Sequence, residues 1–330
     1  MNEKYFFYCI LNPIIAIIGV LGNSACLLVY SKYWTKDNTF EYQIVIAVVD
    51  FFSVSAKLFH WMSSWWIAAH HHLGRAWVIE YPFFVWYYEH LSGFIRFGAD
   101  SVLPLLTIVM CVNRACALYC PLLYRKSLRR IIFGVGLSAA FGMAFAVNSM
   151  EMFRIVVTNG TVLRAPVDDK VVPADVISVL VGCRNFISIS SIFVVAAFNA
   201  CIFRKYKSVM KATAAALNHE SKKKAKEDKL KMTLLLIQSG LVVLGQLPLA
   251  ISFYIQYAHP EKAFGLLHDF ATLGITMEAS LNFVAYAGTS QWFRVAVVNT
   301  LFPCNRIDKT NVVAISSSAH DTNRVTAVAH

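Results

Sequence analysis

The sequence predicts an all-α membrane protein, a bundle of seven transmembrane helices followed by a short amphipathic eighth helix. Of the 330 residues, 57% are hydrophobic and only 15% are charged, whereas a soluble domain carries about 25% charged residues. The mean hydropathy is accordingly positive, at +0.54. A soluble enzyme, a disordered protein and a nucleic-acid-binding domain are disfavoured, because such a chain has too little polar surface for any of them.

Apolar stretches long enough to cross a bilayer, about 20 residues each, recur seven times along the chain. They lie at about 6–30, 41–66, 84–119, 131–152, 176–203, 231–257 and 264–290. Residues 291–302 are amphipathic and too short to cross, so they predict a helix on the membrane surface. The chain therefore divides into a seven-transmembrane domain over 1–303 and a disordered cytoplasmic tail over 304–330.

The distribution of charge predicts the orientation of the bundle. Ten lysines and arginines lie between Arg204 and Lys231, around the predicted third cytoplasmic loop. Because cytoplasmic loops are enriched in Lys and Arg, we expect a plasma-membrane protein with its N-terminus extracellular and its C-terminus cytoplasmic. The net charge of +11 then follows from topology and requires no nucleic acid. The basic segment could contact anionic lipid or a cytoplasmic partner.

Two positions fit covalent modification in this topology. The sequon Asn159-Gly160-Thr161 follows the fourth span in a predicted outer loop, so Asn159 is a candidate N-glycosylation site. Cys304 follows the predicted surface helix, and a cysteine beside the membrane at that point predicts S-palmitoylation.

Polar and charged residues inside the predicted spans are candidate functional residues, because each is costly in hydrocarbon. Arg96 and Asp100 are spaced to pair on the surface of the third span. An inner group and an outer group are predicted: Asn23, Asp50, Glu278 and Asn282 inside, and Lys57, Arg96, Asp100 and Arg184 outside. Such groups suit a protein that couples a site on the outer side of the membrane to a site on the inner side. The alternative is that Arg96 and Asp100 form a salt bridge that only holds helices together.

Short motifs follow one another in order along the spans. They are Gly22-Asn23, Ile46-Ala47-Val48-Val49-Asp50, Asn113-Arg114-Ala115 with Pro121 and Tyr124, Gln246-Leu247-Pro248, Asn282-Phe283-Val284-Ala285-Tyr286, and Phe293-Arg294. Over nearly the whole chain they resemble the G-N, L-A-x-x-D, D-R-Y with P-x-x-Y, W-L-P, N-P-x-x-Y and F-R motifs of the rhodopsin-like (class A) G-protein-coupled receptors. Their divergent forms are most similar to the chemosensory serpentine receptors of nematodes.

The resemblance implies that the chain transmits binding of an extracellular small molecule or peptide, a chemosensory cue, to a heterotrimeric G protein. By resemblance, Arg114 would contact the Gα subunit in the active state and pair with Asp228 in the inactive state. Pro248 would kink the sixth helix, since proline removes a backbone hydrogen bond, and Tyr286 would swing inward on activation.

The resemblance also implies an inner polar core. Asn23, Asp50 and Asn282 would enclose water or a sodium ion at Asp50, joined in this chain by Glu278. No other cofactor is expected.

Several departures from the family pattern are visible. Glu89 stands where the family has the cysteine that ties the third helix to the second outer loop, so that disulfide is not expected. Gln246 replaces the aromatic switch residue of the sixth helix. The span at 264–290 contains no lysine, which excludes a retinal-binding photoreceptor. Arg96 stands where amine receptors carry an acid, so a simple amine ligand is disfavoured.

The outer charges predict the ligand. Lys57, Arg96 and Arg184 are offset mainly by Asp100, so we expect an acidic or strongly polar ligand, with Gln246 as a further ligand-binding residue. The alternative function is a transporter or channel that uses the intramembrane charges. An enzyme is not expected, because the dense histidine run at 70–72 has no partners at catalytic or metal-ligand spacing.

Overall fold

The computed structural model describes residues 10–33, 40–69, 91–120, 124, 126–153, 173–214, 219–258, 265–289 and 291–301. The candidate glycosylation site Asn159, the candidate palmitoylation site Cys304 and the tail lie outside these ranges. Asp228 falls on a described helix, but its side chain is outside the described part.

Nearly all residues in these ranges are helical, and none of them forms a strand. The α-helices are α1 (Asn12–Tyr33), α2 (Phe40–Ala69), α3 (Ser92–Tyr119), α4 (Lys126–Asn148), α5 (Ala174–Ala214), α6 (His219–Ala258), α7 (Gly265–Thr289) and α8 (Gln291–Leu301), with a 3₁₀ turn at Ser149–Phe153 after α4.

Helices α1 to α5 contain stretches long and apolar enough to cross a membrane. These are Asn12–Lys32, Glu41–Met62, Ser92–Tyr119, Leu128–Met152 (which includes the 3₁₀ turn) and Asp175–Ser208. Helix α6 contains a shorter apolar stretch, Leu236–Ser252. Five helical segments among the described residues are therefore long and apolar enough to span a membrane. They indicate a membrane protein.

The basic segment expected as a cytoplasmic loop is largely helical, so the helices on either side of it extend beyond the predicted spans. Helix α5 continues to Ala214 and α6 already begins at His219. The residues between the apolar stretches are rich in Lys, Ala and Glu. These residue types favour helix even when they are exposed. The helices therefore continue past the ends of the apolar stretches.

The helices close into a ring. Helix α1 contacts α2, α2 contacts α3, α3 contacts α5, α5 contacts α6, α6 contacts α7, and α7 returns to α1; α4 packs on α3 from the side, and α8 packs against α1 and α7. This ring creates a shared interior into which side chains from distant parts of the sequence project.

Glycines set the closeness of two contacts in the ring. A Cβ atom added at Gly22 of α1 would lie 2.8 Å from the Cβ of Phe283 in α7. A Cβ added at Gly274 of α7 would lie 3.1 Å from the carbonyl oxygen of Gly245 in α6. Small residues let helix backbones approach in this way, and the close approach brings the polar residues of α1, α6 and α7 together.

Candidate functional site

One face of α2 carries a row of polar residues that contact other helices. Gln43, Asp50, Ser53 and Lys57 are spaced by seven, three and four residues, which is close to whole turns of a helix. Asp50 and Lys57 are fully buried, at 0% and 1% exposure. The row spans about 21 Å along the helix axis, from the rise per residue of an α-helix.

At its C-terminal end, around Lys57, the row meets α3. The Lys57 ammonium lies 2.7 Å from Asp100 Oδ1, and the Ser53 hydroxyl donates a 2.8 Å hydrogen bond to the same oxygen. The predicted pairing of Asp100 with Arg96 on α3 is therefore wrong: Asp100 turns toward α2. The physical reason is that Lys57 is buried and would otherwise carry an uncompensated charge, whereas Arg96 has another contact.

That other contact is an aromatic ring. The guanidinium carbon of Arg96 lies 4.4 Å from the centre of the Phe97 ring, and that of Arg184 on α5 lies 4.9 Å from the same centre. Arg184 also forms a 3.1 Å salt bridge with Glu151 of the 3₁₀ turn. Two of the three cations predicted to bind ligand, Lys57 and Arg184, thus have carboxylate partners within the protein.

Phe97 and Glu151 were missed from the sequence. Phe97 is one of 24 phenylalanines, and nothing in its spacing distinguishes it. Glu151 lies at the end of the fourth predicted span and is only 2% exposed. An acid within a predicted membrane span is costly unless it is paired. Its position alone could therefore have indicated that Glu151 pairs with a nearby cation.

Further along the row Asp50 meets α7, which in turn contacts α1. The Asn282 amide donates a 2.5 Å hydrogen bond to Asp50 Oδ2, and the Asn23 amide donates a 2.9 Å hydrogen bond to the carbonyl oxygen of Ala279. Asp50 Oδ1 and Asn23 Oδ1 have no hydrogen-bond partner among the described residues. The inner group predicted from the sequence is brought together, and it leaves acceptor oxygens that suit water or a monovalent cation.

Glu278 and Gln246 face each other between α7 and α6. Glu278 is 2% exposed and Gln246 is 1% exposed. Glu278 interacts electrostatically with Asp50 and with both members of the Lys57–Asp100 salt bridge. Gln246 lies inside the bundle beside Glu278 of α7, and its ligand-binding role stays a prediction.

Tyr286 ties α7 to three other helices. Its hydroxyl donates a hydrogen bond to Gln43 Oε1 of α2. Its ring centre lies 5.8 Å from that of Tyr30 in α1 and 5.6 Å from that of Phe293 in α8. Arg294 donates to the carbonyl oxygens of Ala287 and Gly288, which satisfies the C-terminal end of α7 and holds α8 in place.

Arg114 lies half-buried near the C-terminal end of α3. It interacts electrostatically with Tyr42 of α2 and with Tyr124. The Tyr124 hydroxyl donates a 2.7 Å hydrogen bond to Asn113 Oδ1. Burial raises the pKa of the Tyr124 phenol above its ordinary value, so this hydroxyl remains protonated and continues to donate.

A polar chain that the sequence did not predict links α3, α5 and α6. Cys111 Sγ contacts Asn199 Oδ1 at 3.7 Å, and the Asn199 amide donates a 2.8 Å hydrogen bond to the Ser239 hydroxyl. Pro248 lies nine residues beyond Ser239, inside α6. Asn199 could have been noticed as an asparagine in a spanning segment; Cys111 and Ser239 have no such signal.

Among the described residues no three His, Cys, Asp or Glu side chains converge as metal ligands. The titratable groups that do converge, Asp50, Lys57, Asp100 and Glu278, sit in the bundle interior. They resemble neither a nucleophile with its base nor a closed transition-metal site.

No family model matches the chain, and no curated protein matches its sequence.

Proposed function

We propose that the chain is a seven-helix receptor that transmits the binding of an extracellular ligand to a heterotrimeric G protein across the plasma membrane. In this proposal α6 and α7 are the sixth and seventh spans, beside the five segments that qualify by length and composition. Helix α8 lies on the cytoplasmic surface. The positive-inside bias puts the basic ends of α5 and α6 in the cytoplasm.

The observation that carries the proposal is the polar face of α2. It contacts α3 through Lys57 and Asp100 toward the outer end, and α7 through Asp50 and Asn282 further in. A ligand that alters the outer contacts would shift the balance between arrangements of α3 and α7 by its differential affinity for them. The buried contacts offer a physical route for that effect, because packed interiors adopt discrete arrangements.

The inner end of the bundle supports coupling to a cytoplasmic partner. Arg114 stands in a motif resembling the one that class A receptors use for Gα contact, and it lies beside Tyr42 and Tyr124. The Cys111–Asn199–Ser239 chain joins the three helices that would have to separate for a Gα helix to enter.

The outer end of the bundle supports a polar ligand. Arg96 and Arg184 present two guanidinium groups on Phe97, with Glu151 neutralising Arg184. This arrangement suits a ligand with an acidic group, because guanidinium groups form strong charge-assisted hydrogen bonds with carboxylates. The ligand would be a small molecule or a peptide that acts as a chemosensory cue.

A transporter or channel is the second candidate, because four ionisable side chains, Asp50, Lys57, Asp100 and Glu278, interact within the bundle. Charged groups of this kind line ion and proton pathways in membrane proteins. The salt bridge between Lys57 and Asp100 weighs against a conducting role, since a direct contact at 2.7 Å leaves no room for a passing ion between those two groups.

The test expresses the full chain with a panel of Gα classes and measures G-protein dissociation by resonance energy transfer. The signal is followed as surface expression rises and as fractionated chemical cues are applied. We expect one Gα class to respond, and we expect Arg114→Ala to abolish the response. Arg130→Ala, an exposed arginine at the start of α4, is the matched control and should respond normally.

The rival is tested in parallel on purified protein in liposomes with ion-sensitive dyes. Ion flux that depends on Asp50 or Glu278, combined with no response from any Gα class, would overturn the receptor proposal in favour of a transporter or channel.

A further inference from the structure

The contact between Glu278 and Gln246 buries polar atoms that have no hydrogen-bond partner among the described residues. Both side chains are buried between α7 and α6. Neither oxygen of the Glu278 carboxyl group and neither polar atom of the Gln246 amide has a hydrogen-bond partner among the described residues, although the two groups are neighbours. Unmade hydrogen bonds of buried groups cost about 1–3 kcal/mol each, so hydrogen bonds between these two side chains would stabilise the contact.

The Glu278–Gln246 pair is one of two polar contacts that recur at the same spacing along α6 and α7. Gln238 lies eight residues before Gln246, and Tyr286 lies eight residues after Glu278. Gln238 is in turn a neighbour of Tyr286. Two amides on α6 thus face two acidic or hydroxyl groups on α7, at matching heights on the helices, which shows that the Glu278–Gln246 contact follows from the helix packing.

The space between the helices is narrow at this level. A Cβ added at Gly245 would lie 2.9 Å from Glu278 Oε2, and a Cβ added at Gly274 would lie 3.1 Å from the Gly245 carbonyl oxygen. The backbones of α6 and α7 are nearly in contact here. The contact therefore suits a direct hydrogen bond between the two side chains better than a separate ligand.

The chemistry of the two groups indicates which protonation state of Glu278 allows both side chains to form their hydrogen bonds. A primary amide offers one acceptor oxygen and a donor nitrogen, whereas an ionised carboxylate offers acceptors alone. An ionised Glu278 would leave Gln246 Oε1 without a donor. A protonated Glu278 donates its O–H to Gln246 Oε1 and accepts from Gln246 Nε2, so that both groups are satisfied.

The surrounding charges favour the same state. The charged groups that act on Glu278 are Asp50 and Lys57 of α2 and Asp100 of α3. Lys57 is already in direct contact with Asp100, and Asp50 is a second acid close to Glu278. No charged side chain of α6 or α7 that the structure describes adds compensation. An ionised Glu278 would be a buried charge without its own partner, which costs several kcal/mol.

We propose that Glu278 is a proton-binding site, a neutral carboxylic acid that forms a two-hydrogen-bond pair with Gln246 across the α6–α7 contact. The proton comes from water and forms one O–H bond on the carboxyl group; nothing is oxidised or reduced. The site does not depend on the proposed receptor function. If α6 moves away from α7 during signalling, a consequence that rests on that function, the acid loses its partner and releases the proton.

Infrared spectroscopy tests the proposal on the purified full chain in lipid nanodiscs at neutral pH. A neutral carboxylic acid has a carbonyl stretching band separate from that of a carboxylate. We expect Glu278→Gln to remove such a band. Asp50→Asn, which removes the neighbouring acid, is the matched control and should leave that band in place. Gln246→Leu should shift it to higher frequency, because the carbonyl loses its hydrogen bond.

Two results would overturn the proposal. One is a spectrum in which Glu278→Gln removes no neutral-acid band. The other is a sodium-dependent rise in the Tm of the natural protein that Glu278→Gln abolishes, which would mean an ionised Glu278 that binds a metal cation. Glu278→Gln is isosteric and can pair with Gln246 as an amide. Should it yield no folded protein, the Gln246→Leu spectrum decides: a shifted band supports the site and an unchanged spectrum overturns it.

Discussion

The ammonium group of Lys57 lies 2.7 Å from the Asp100 carboxylate, and the lysine side chain is only 1% exposed while that of Asp100 is 14% exposed. This contact joins α2 to α3 near one end of the bundle. It also removes two charges from the set that would otherwise be available to a ligand. The salt bridge therefore mainly stabilises the packing of α2 against α3. It affects function through the position that it gives to α3.

The first prediction concerns that salt bridge. Asp100→Asn leaves Lys57 buried without a counter-charge, so it should destabilise the protein by about 3–5 kcal/mol. The double variant Lys57→Met with Asp100→Leu removes both charges and should recover most of the loss. Thermal unfolding of the purified protein in detergent measures both effects.

The control for this prediction is the salt bridge between Arg129 and Glu41, whose side chains are 23% and 22% exposed. Glu41→Gln should cost about 1 kcal/mol or less, because a pair that keeps this much contact with solvent gains less than a buried one. Equal losses for Asp100→Asn and Glu41→Gln would show that burial does not govern the Lys57 pair.

The second prediction concerns the guanidinium groups on Phe97. Arg96→Ala should abolish the response to an active cue fraction while surface expression stays normal. Glu151→Gln should weaken the response about tenfold or more, equivalent to about 1.4 kcal/mol, because Arg184 loses the carboxylate that positions it. The measurement is the G-protein dissociation response against the concentration of the cue fraction.

Arg130→Ala is the matched control for the second prediction, since Arg130 is an exposed arginine at the start of α4. It should leave the response unchanged. A normal response from Arg96→Ala would refute the assignment of the ligand site.

The third prediction concerns the hydroxyl of Tyr286. Tyr286→Phe keeps the ring packing against Tyr30 and Phe293 and removes the hydroxyl that donates to Gln43. A double-mutant cycle of Tyr286→Phe with Gln43→Leu should give a coupling energy of about 1 kcal/mol in thermal stability. Tyr42→Phe serves as control: the Tyr42 hydroxyl has no hydrogen-bond partner among the described residues, so its loss should be neutral. Additive effects of the two Tyr286–Gln43 variants would contradict the contact.

The fourth prediction concerns the close approach of α1 and α7. Gly22→Ala would place a methyl group 2.8 Å from the Cβ of Phe283, so it should destabilise the protein by about 1–3 kcal/mol through overpacking. Gly134→Ala on α4 has no atom within 4 Å of the added methyl and should be neutral or slightly stabilising, because alanine is the better helix former. Similar Tm values for the two variants would be evidence against close α1–α7 packing.

Much of the fold could be predicted from local patterns. The helix at Gln291–Leu301 lies within one residue of the stretch predicted from its amphipathic sequence, and the predicted second and seventh stretches match α2 and α7 closely. Hydropathy does not give the helix ends where a helix continues into polar sequence, as at the facing ends of α5 and α6. The sixth and seventh membrane spans, which correspond to α6 and α7, stay predictions.

The sequence by itself determined which residues are costly in a membrane, and hence that Asn23, Asp50, Lys57, Glu278 and Asn282 would lie in an interior. Helix geometry makes this possible, because residues seven apart share a face whatever the neighbours are. Only the tertiary structure decided the partners: Asp100 with Lys57 instead of Arg96, Arg184 with Glu151, Tyr286 with Gln43 and Glu278 with Gln246. Each of these partners lies on another element, and the pairing depends on the rotation and axial position of packed helices, which no local spacing encodes.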